Sequence, residues 1–512
     1  MTGARGGRRR LRHFFATLAT LVVLVAAVGC GDRSSRPSRA TPSPAPTVES
    51  QRTLGPRIEA GDGYRQDEDA VTVVHLRGDE AATRAQAQTL LADEIVAYEA
   101  AVARNRVLTA GGCSAFADWR AGNGLSLWHG RTFDYYGLDA MDRYRVVYFV
   151  DPAGGLPFVS VSWPTVDAAQ SVHTAMNAAG VSLTYNYADS NDESIADAPQ
   201  LWRLLGEVIA QAHSVDEAVA LLERGPRTSS ANILIADASV PTAVVVELTS
   251  RKLTVRRASD DAIWCTNHFI DMHMREPIRD QNSFARYRRL RQLLSSGGPS
   301  DLDAAVAVLR DHHDARTGRD DFSGDVIAWN INVQAEIFHP GDRTLWVATG
   351  IAPAVYGRWI GFSLDAELAG EPGEDPTRVV PPDPLLDESA ATPFRLFQEG
   401  YVAYLNGEDD EAVPLLQRAV AADPRNGRYL YALGAALTAQ GAREAAVEAY
   451  RRVVITDVDD VYKASACVHL GQLYEELGER ARALAWYRRA LGYDIGDDEL
   501  EAPAREALGG GR

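Results

Sequence analysis

Gly111-Gly112-Cys113-Ser114-Ala115-Phe116 opens the stretch on which the fold turns, and Leu125-Ser126-Leu127-Trp128-His129-Gly130-Arg131-Thr132-Phe133-Asp134 closes it. Two strand-like runs flank Ala121-Gly122-Asn123-Gly124. Asn-Gly between apolar runs is a strong hairpin signal. The hairpin returns Arg131 and Asp134 to the end of the strand that starts at Cys113. A lone Cys is most often a small buried hydrophobe. A cation beside it lowers the thiol pKa and favours the nucleophilic thiolate. A carboxylate there can hold an ammonium or orient a base. The same two side chains also fit an ordinary, weak ion pair.

Outward from this hairpin, residues 63 to about 365 alternate strand-like and helix-like runs. Val71 to Leu76, Arg145 to Val150, Phe158 to Trp163, Asn232 to Ala236, Ala243 to Glu247 and Thr344 to Thr349 read as strands. Ala81 to Ala103 reads as one long amphipathic helix, and Leu201 to Ala212 and Val215 to Leu222 as two more. Paired β-runs with helices between them predict a layered α+β fold.

The hairpin resembles the N-terminal-nucleophile (Ntn) hydrolases of the choloylglycine hydrolase and acyl-coenzyme A:isopenicillin N acyltransferase type, the C45 peptidase family. That type has Cys at the head of a strand, then Arg-x-x-Asp after a hairpin. Here the pair lies 18 and 21 residues after Cys113. Asn177-Ala178-Ala179-Gly180-Val181 through Asn186 resembles the family's "N-x-x-G-L…N" segment, and Cys265-Thr266-Asn267-His268-Phe269 its "A-N-H-F" motif. Asn282-Ser283-Phe284-Ala285-Arg286-Tyr287 resembles "S-x-R-F". The resemblance covers about residues 64–362 and implies a four-layer αββα sandwich. It implies Cys113 as nucleophile, Arg131 and Asp134 as its partners, and the Asn186 backbone N–H and Asn267 Nδ2 as oxyanion donors. Arg286 is a weaker site residue. Asn186 also fits a turn residue, and Arg286 a solvated face, since it stands in an Arg-rich helical run.

In an Ntn enzyme the freed α-amine of the nucleophile is the base, so the Gly112–Cys113 bond must first be cut. Gly112, without Cβ, suits the strained backbone such a cut needs. No metal or cofactor is expected. Adjacent His312-His313 would diverge on a helix rather than share an ion. Cys265 and Cys467 fall in different units, which argues against a disulfide between them.

Residues 366–392 read as a Pro- and acid-rich linker, and 393–512 as helix only, with an internal repeat. Gly400, Gly434 and Gly471 recur at intervals of 34 and 37. Ala412, Ala446 and Ala483 follow each by 12, and Leu416, Tyr450 and Tyr487 by 16. Gly407, Gly441 and Gly478 mark a turn in each unit, and an insertion falls within Asp457 to Asp460. This pattern is similar to the tetratricopeptide repeat, an all-α solenoid. Such repeats usually bind a protein partner in a concave face.

The other end reads as an address. Five arginines precede an apolar run, Phe14 to Gly29, of 16 residues. That is short of the ~20 a membrane span needs and suits a signal peptide over 1–29. Ala27-Val28-Gly29-Cys30 resembles a bacterial lipobox, which would place a lipid on Cys30. The Pro- and Ser-rich 30–62 then reads as a tether. The formal charge is −18, almost all basic side chains are Arg, and without the five leading arginines the remainder carries −23. Such an acidic body excludes a nucleic-acid binder.

The expectation is therefore a lipid-anchored, self-cleaving cysteine amidohydrolase or acyltransferase of the cell envelope. Residues 63–112 are its precursor segment and 113–365 its catalytic domain. It would act on amide bonds of small N-acyl compounds or short peptides. Two alternatives stay open. One is an inert scaffold whose repeats bind an envelope partner. The other is a cysteine hydrolase that keeps its precursor segment.

Overall fold

The computed structural model describes residues 54–67, 71–104, 110–120, 126–135, 140–274 (apart from 193, 197 and 259), 281–371 (apart from 317 and 323), 379–386, 388–493, 495 and 498–509. The expected signal peptide, Cys30 and the Ala121–Gly124 turn lie outside the described residues. In chain order the strands are β1 (Ile58–Ala60), β2 (Gly63–Arg65), β3 (Thr72–Gly78), β4 (Ala110–Asp118), β5 (Trp128–Tyr135), β6 (Val146–Pro152), β7 (Phe158–Ser162), β8 (Thr174–Asn177) and β9 (Val181–Tyr187). They continue with β10 (Ala231–Asp237), β11 (Thr242–Leu248), β12 (Leu253–Arg257), β13 (Ala262–Cys265), β14 (His313–Asp314), β15 (Arg319–Asp320), β16 (Asn332–His339), β17 (Thr344–Ala348) and β18 (Trp359–Ser363). The helices of this unit are α1 (Glu80–Leu90), α2 (Ala92–Arg104), α3 (Leu201–Gln211), α4 (Val215–Leu222), α5 (Gln281–Ser295), α6 (Leu302–Leu309) and α7 (Leu364–Ala369).

Ten strands form one sheet, in the order β1-β2-β3-β6-β7-β8-β9-β10-β11-β12, and six form another, β13-β4-β5-β16-β17-β18. Strand β6 shows why these runs are apolar throughout. Val146, Tyr148 and Val150 pack with Leu205, Val208 and Ile209 of α3. Val147 and Phe149 face Phe338, Leu345 and Phe362 of the second sheet. Both faces are buried, so no polar alternation is left to read. Leu290, Leu294 and Leu309 of α5 and α6 cover the outer face of the second sheet against Ile337 and Trp346. The result is the expected αββα layering.

Three boundaries differ from the sequence reading. The helix over 81–103 is two helices, because Leu91 leaves helical backbone at φ −123°, ψ 19°. Leu90 and Leu91 are both buried at this break. Ordered structure starts before 63, with β1 paired to β2. At the other edge α7 runs on to Ala369, and Val380 bridges to Trp359. His313 is in a strand rather than a helix, and His312 and His313 both lie beside Asp320. Cys113, Cys265 and Cys467 are all free thiols.

The second unit is all helix: α8 (Glu388–Asn406), α9 (Asp409–Ala422), α10 (Gly427–Gln440), α11 (Arg443–Val453), α12 (Asp460–Glu476), α13 (Arg480–Leu491) and α14 (Asp498–Ala507). A Cβ at Gly400, Gly434 or Gly471 would meet Leu416, Tyr450 or Tyr487 at 2.8, 2.8 and 2.3 Å. These are the same small–large pairs that the 16-residue offset picks out. Gly407, Gly441 and Gly478 all take positive φ, as turns after helices require. Among the described residues no helix is long and apolar enough to cross a membrane.

Candidate active site

Strands β4 and β5 pair antiparallel, with Gly112 opposite Asp134 and Cys113 opposite Phe133. The strand runs three residues further back than the expected start at Cys113, through a bulge between Ala110 and Gly112. Cys113 is buried, and its main chain is held at both ends. Its N–H donates to Asn267 Oδ1 at 2.8 Å, and its carbonyl accepts from Arg286 Nη1. Arg286 Nη2 donates to the same Oδ1 at 2.7 Å. Asn267 Nδ2 donates to the Tyr187 carbonyl at 2.7 Å. Two donors at one end of the amide and an acceptor at the other fix its orientation.

Asn267 therefore lies at the candidate site, with its Nδ2 occupied by the Tyr187 carbonyl. Its observed partner at Cys113 is the backbone nitrogen. Ser283 Oγ accepts from the Asn267 N–H at 2.8 Å and bonds the His268 ring at 2.7 Å, which sets the turn after β13.

The solvated-face reading of Arg286 is wrong. Arg286 is fully buried, whereas Arg288 and Arg291 are exposed. Ser283, Arg286, Leu290 and Leu294 form the inward stripe of α5. Its guanidinium also donates to Ser114 Oγ at 3.0 Å and to Asn282 Oδ1 at 2.8 Å.

Asn186 is corrected as a backbone donor. Tyr185 N donates to His173 O on the β8 side of β9. Backbone groups alternate along a strand, so Tyr187 N shares that side and Asn186 N faces β10. The Tyr187 N–H is the backbone donor beside the thiol. The Asn186 side chain points to Cys265, with Nδ2 3.1 Å from its Sγ.

Arg131 is fully buried. It donates to Tyr185 O at 2.8 Å and lies 3.9 Å from Cys113 Sγ through Nη2. Its Nη1 is 3.8 Å from Glu336. Even so, burial pushes the thiol up from its ordinary value. Arg131 opposes this, Asp134 adds to it, and Arg286 and the Tyr187 N–H oppose it further. Arg131 acts in the expected direction. Burial also pushes Asp134 up to about 7, against Arg286, Asn332 and Arg131. Glu336 is likewise raised to about 7 by burial, against Arg131.

Asn332 was not found in the sequence. Its Nδ2 donates to Asp134 Oδ1 at 3.0 Å, and its Oδ1 accepts from Val355 N at 3.0 Å. It sits 198 residues from Asp134, at a register shift in β16, and no local motif marks it. The demand for glycine at 112 is also different from the expected one. Gly112 does not take positive φ. A Cβ there would lie 2.6 Å from Arg286 Nη2, so the need is for space.

This layering and this constellation define an Ntn-type hydrolase or acyltransferase unit joined to a helical repeat. Residues 119–351 match the family model of acyl-coenzyme A:6-aminopenicillanic acid acyl-transferase, so the first unit is similar to that family. Residues 397–461 and 464–494 match tetratricopeptide-repeat models. The acyl-transferase match takes in Arg131, Asp134, Asn186, Asn267 and Arg286 and begins six residues after Cys113. No curated protein matches the chain. Among solved structures, the chain is similar to a Caenorhabditis elegans ortholog of N-acylethanolamine-hydrolyzing acid amidase. The identity is 16%, over 45% of this chain and 93% of that one, with TM-score 0.33. It is also similar to the N-terminal domain of C. elegans stress-induced protein-1, at 20% identity over 23% of this chain and 94% of that one, with TM-score 0.21.

Proposed function

We propose that the protein is a self-processing Ntn cysteine amidohydrolase, held at the cell envelope by a lipid on Cys30. The observation that carries this is the clamp on the Cys113 main chain by Asn267 and Arg286. A clamp on both sides of one residue would keep the new N-terminus in place once the preceding bond is gone.

In the first step Cys113 Sγ attacks the Gly112 carbonyl carbon and the Gly112–Cys113 C–N bond breaks. The thiol proton ends on the departing amine. Water then hydrolyses the thioester, leaving a Gly112 carboxylate, a free thiol and a free α-amine. In the second step that amine takes the thiol proton as Sγ attacks a substrate amide. It returns the proton to the leaving amine. Water, deprotonated by the same α-amine, releases the acyl group. A donor facing the tetrahedral oxyanion is worth roughly 10²–10³ in rate. The Tyr187 N–H is one such donor, and Asn267 Nδ2 is the other once it releases the Tyr187 carbonyl.

The matched family is named for acyl transfer, which supports acyl-amide chemistry. Outside the cytoplasm water is the expected acceptor, and small N-acyl compounds or short peptides are the substrates. The repeats are read as a surface for a protein partner. The test is the mass of the denatured chains of residues 55–512, beside Cys113→Ala. Two chains breaking at Gly112–Cys113 in the wild type and one in the variant support the reading. One intact chain in both refutes self-processing.

A further inference from the structure

The two units are not beads on a string. Arg428, at the start of α10, is buried and donates to Asp321 at 2.9 Å and Asp325 at 2.7 Å in the first unit, and to Asp459 at 3.1 Å in its own. From the first unit, Arg316 Nε pairs with Asp459 at 2.9 Å and Arg319 with Asp457 at 3.4 Å. Both acids lie in or beside the insertion that lengthens the interval between the second and third repeats. Phe322 stacks on Phe394 with ring centroids 5.1 Å apart.

The contact then runs inward. Gln398 of α8 is buried, and its Nε2 donates to the Asn330 carbonyl at 2.6 Å. Val402, one turn further along α8, packs on the cluster that holds Cys113, Phe133, Trp163, Trp329 and Ile331. The segment from Asp321 to Ile331 is therefore held by the repeats at Asp321, Phe322, Asp325 and Asn330. It ends at Asn332, whose side chain holds Asp134 opposite Gly112.

We infer that the repeat unit completes the active site in cis: Gln398 and Arg428 are positioning residues that hold segment 321–332, and through Asn332 they place Asp134 against the Gly112–Cys113 bond. The repeats are then part of the catalytic apparatus. The inference rests on the proposed reading for its catalytic meaning, but its geometry can be tested without it.

The experiment uses the chain from residue 55 to its end. Gln398→Met keeps length and removes the donor. Arg428→Lys keeps a cation among the three carboxylates, and Arg428→Leu does not. Two quantities are read: backbone amide exchange over 128–135 and 328–335, and the rate of Gly112–Cys113 cleavage against pH. The charged and titratable groups facing Asp134 are Arg131, Arg286 and the Cys113 thiol, and none is altered by these variants. In folded Gln398→Met, exchange in both segments rises about tenfold or more. Cleavage slows by a similar factor and its pH midpoint moves, as expected when a positioning contact is lost. Arg428→Lys retains most of the wild-type behaviour and Arg428→Leu loses it. Unchanged exchange in Gln398→Met overturns the inference. Faster exchange with cleavage unchanged in rate and midpoint reduces the contact to a structural one and also overturns it. If the wild type is not cleaved at all, the self-processing reading fails, and exchange at 128–135 alone decides whether the repeats govern Asp134.

Discussion

Gly112 lies directly under the guanidinium of Arg286, so that a Cβ added to it would sit 2.6 Å from Nη2 and 3.0 Å from Cζ. Both are fully enclosed, and Arg286 cannot retreat without leaving Cys113 O, Ser114 and Asn267. Gly112→Ala is therefore expected to block cleavage far more than the small size of the change suggests. The expected drop is roughly 10²-fold, the scale of one lost charge-stabilising donor. Gel densitometry of precursor against time checks it. Wild-type kinetics in Gly112→Ala would mean that the Arg286 contact is irrelevant.

Arg286 is a fork and not merely a charge. Its nitrogens reach four different acceptors, which a single ammonium cannot imitate. Arg286→Lys should fold, keep the positive charge, and still cleave about tenfold slower or worse. If the lysine variant cleaves normally, charge alone is what the site needs.

Asp134 and Glu336 give a pH signature. Burial raises both carboxyls to about 7, so each keeps its proton in the folded chain where the unfolded chain has lost it. Their contribution to stability is complete below the ordinary carboxylate value near ~4 and is lost as pH rises through about 7. Asp325 runs the other way, because Arg428, Arg316 and its hydrogen bonds outweigh burial and lower it. The useful quantity is thus a difference. In a Cys113→Ala background, Tm of Asp134→Asn/Glu336→Gln minus Tm of the parent should grow between pH 4 and 8. A flat difference would remove both groups as buried acids.

In the repeats, Tyr450 is fully buried across Gly434. Tyr450→Ala should cost about 3–5 kcal/mol, the usual range for emptying a large core position. Gly434→Val should cost about 1–3 kcal/mol through overpacking. Urea unfolding followed by helical circular dichroism measures both. A change below 0.5 kcal/mol in either, roughly a surface value, would contradict the interlocked pair.

Legibility in the sequence follows the range of the interaction. The repeats are readable because each small–large pair recurs at one spacing, and the structure packs those same pairs. The strands are readable because β6 and β10 are apolar on both faces. Arg286 is misleading for a physical reason: its inward stripe begins with Ser283 and Arg286, so a helical pattern of apolar residues assigns it to the outside. Asn186 misleads by one residue, since side-chain type says nothing of which backbone N–H faces the thiol. Asn332 and Gln398 act across 198 and 68 residues, and only the folded chain brings them to their partners.

The strand that precedes the proposed cut has its own consequence. β3 is enclosed in the ten-stranded sheet, antiparallel to β2 on one side and parallel to β6 on the other. Its partner β6 lies beyond Cys113, so the two products of cleavage would share one continuous sheet. A nicked molecule would sediment as a single particle, with both pieces held together by that sheet.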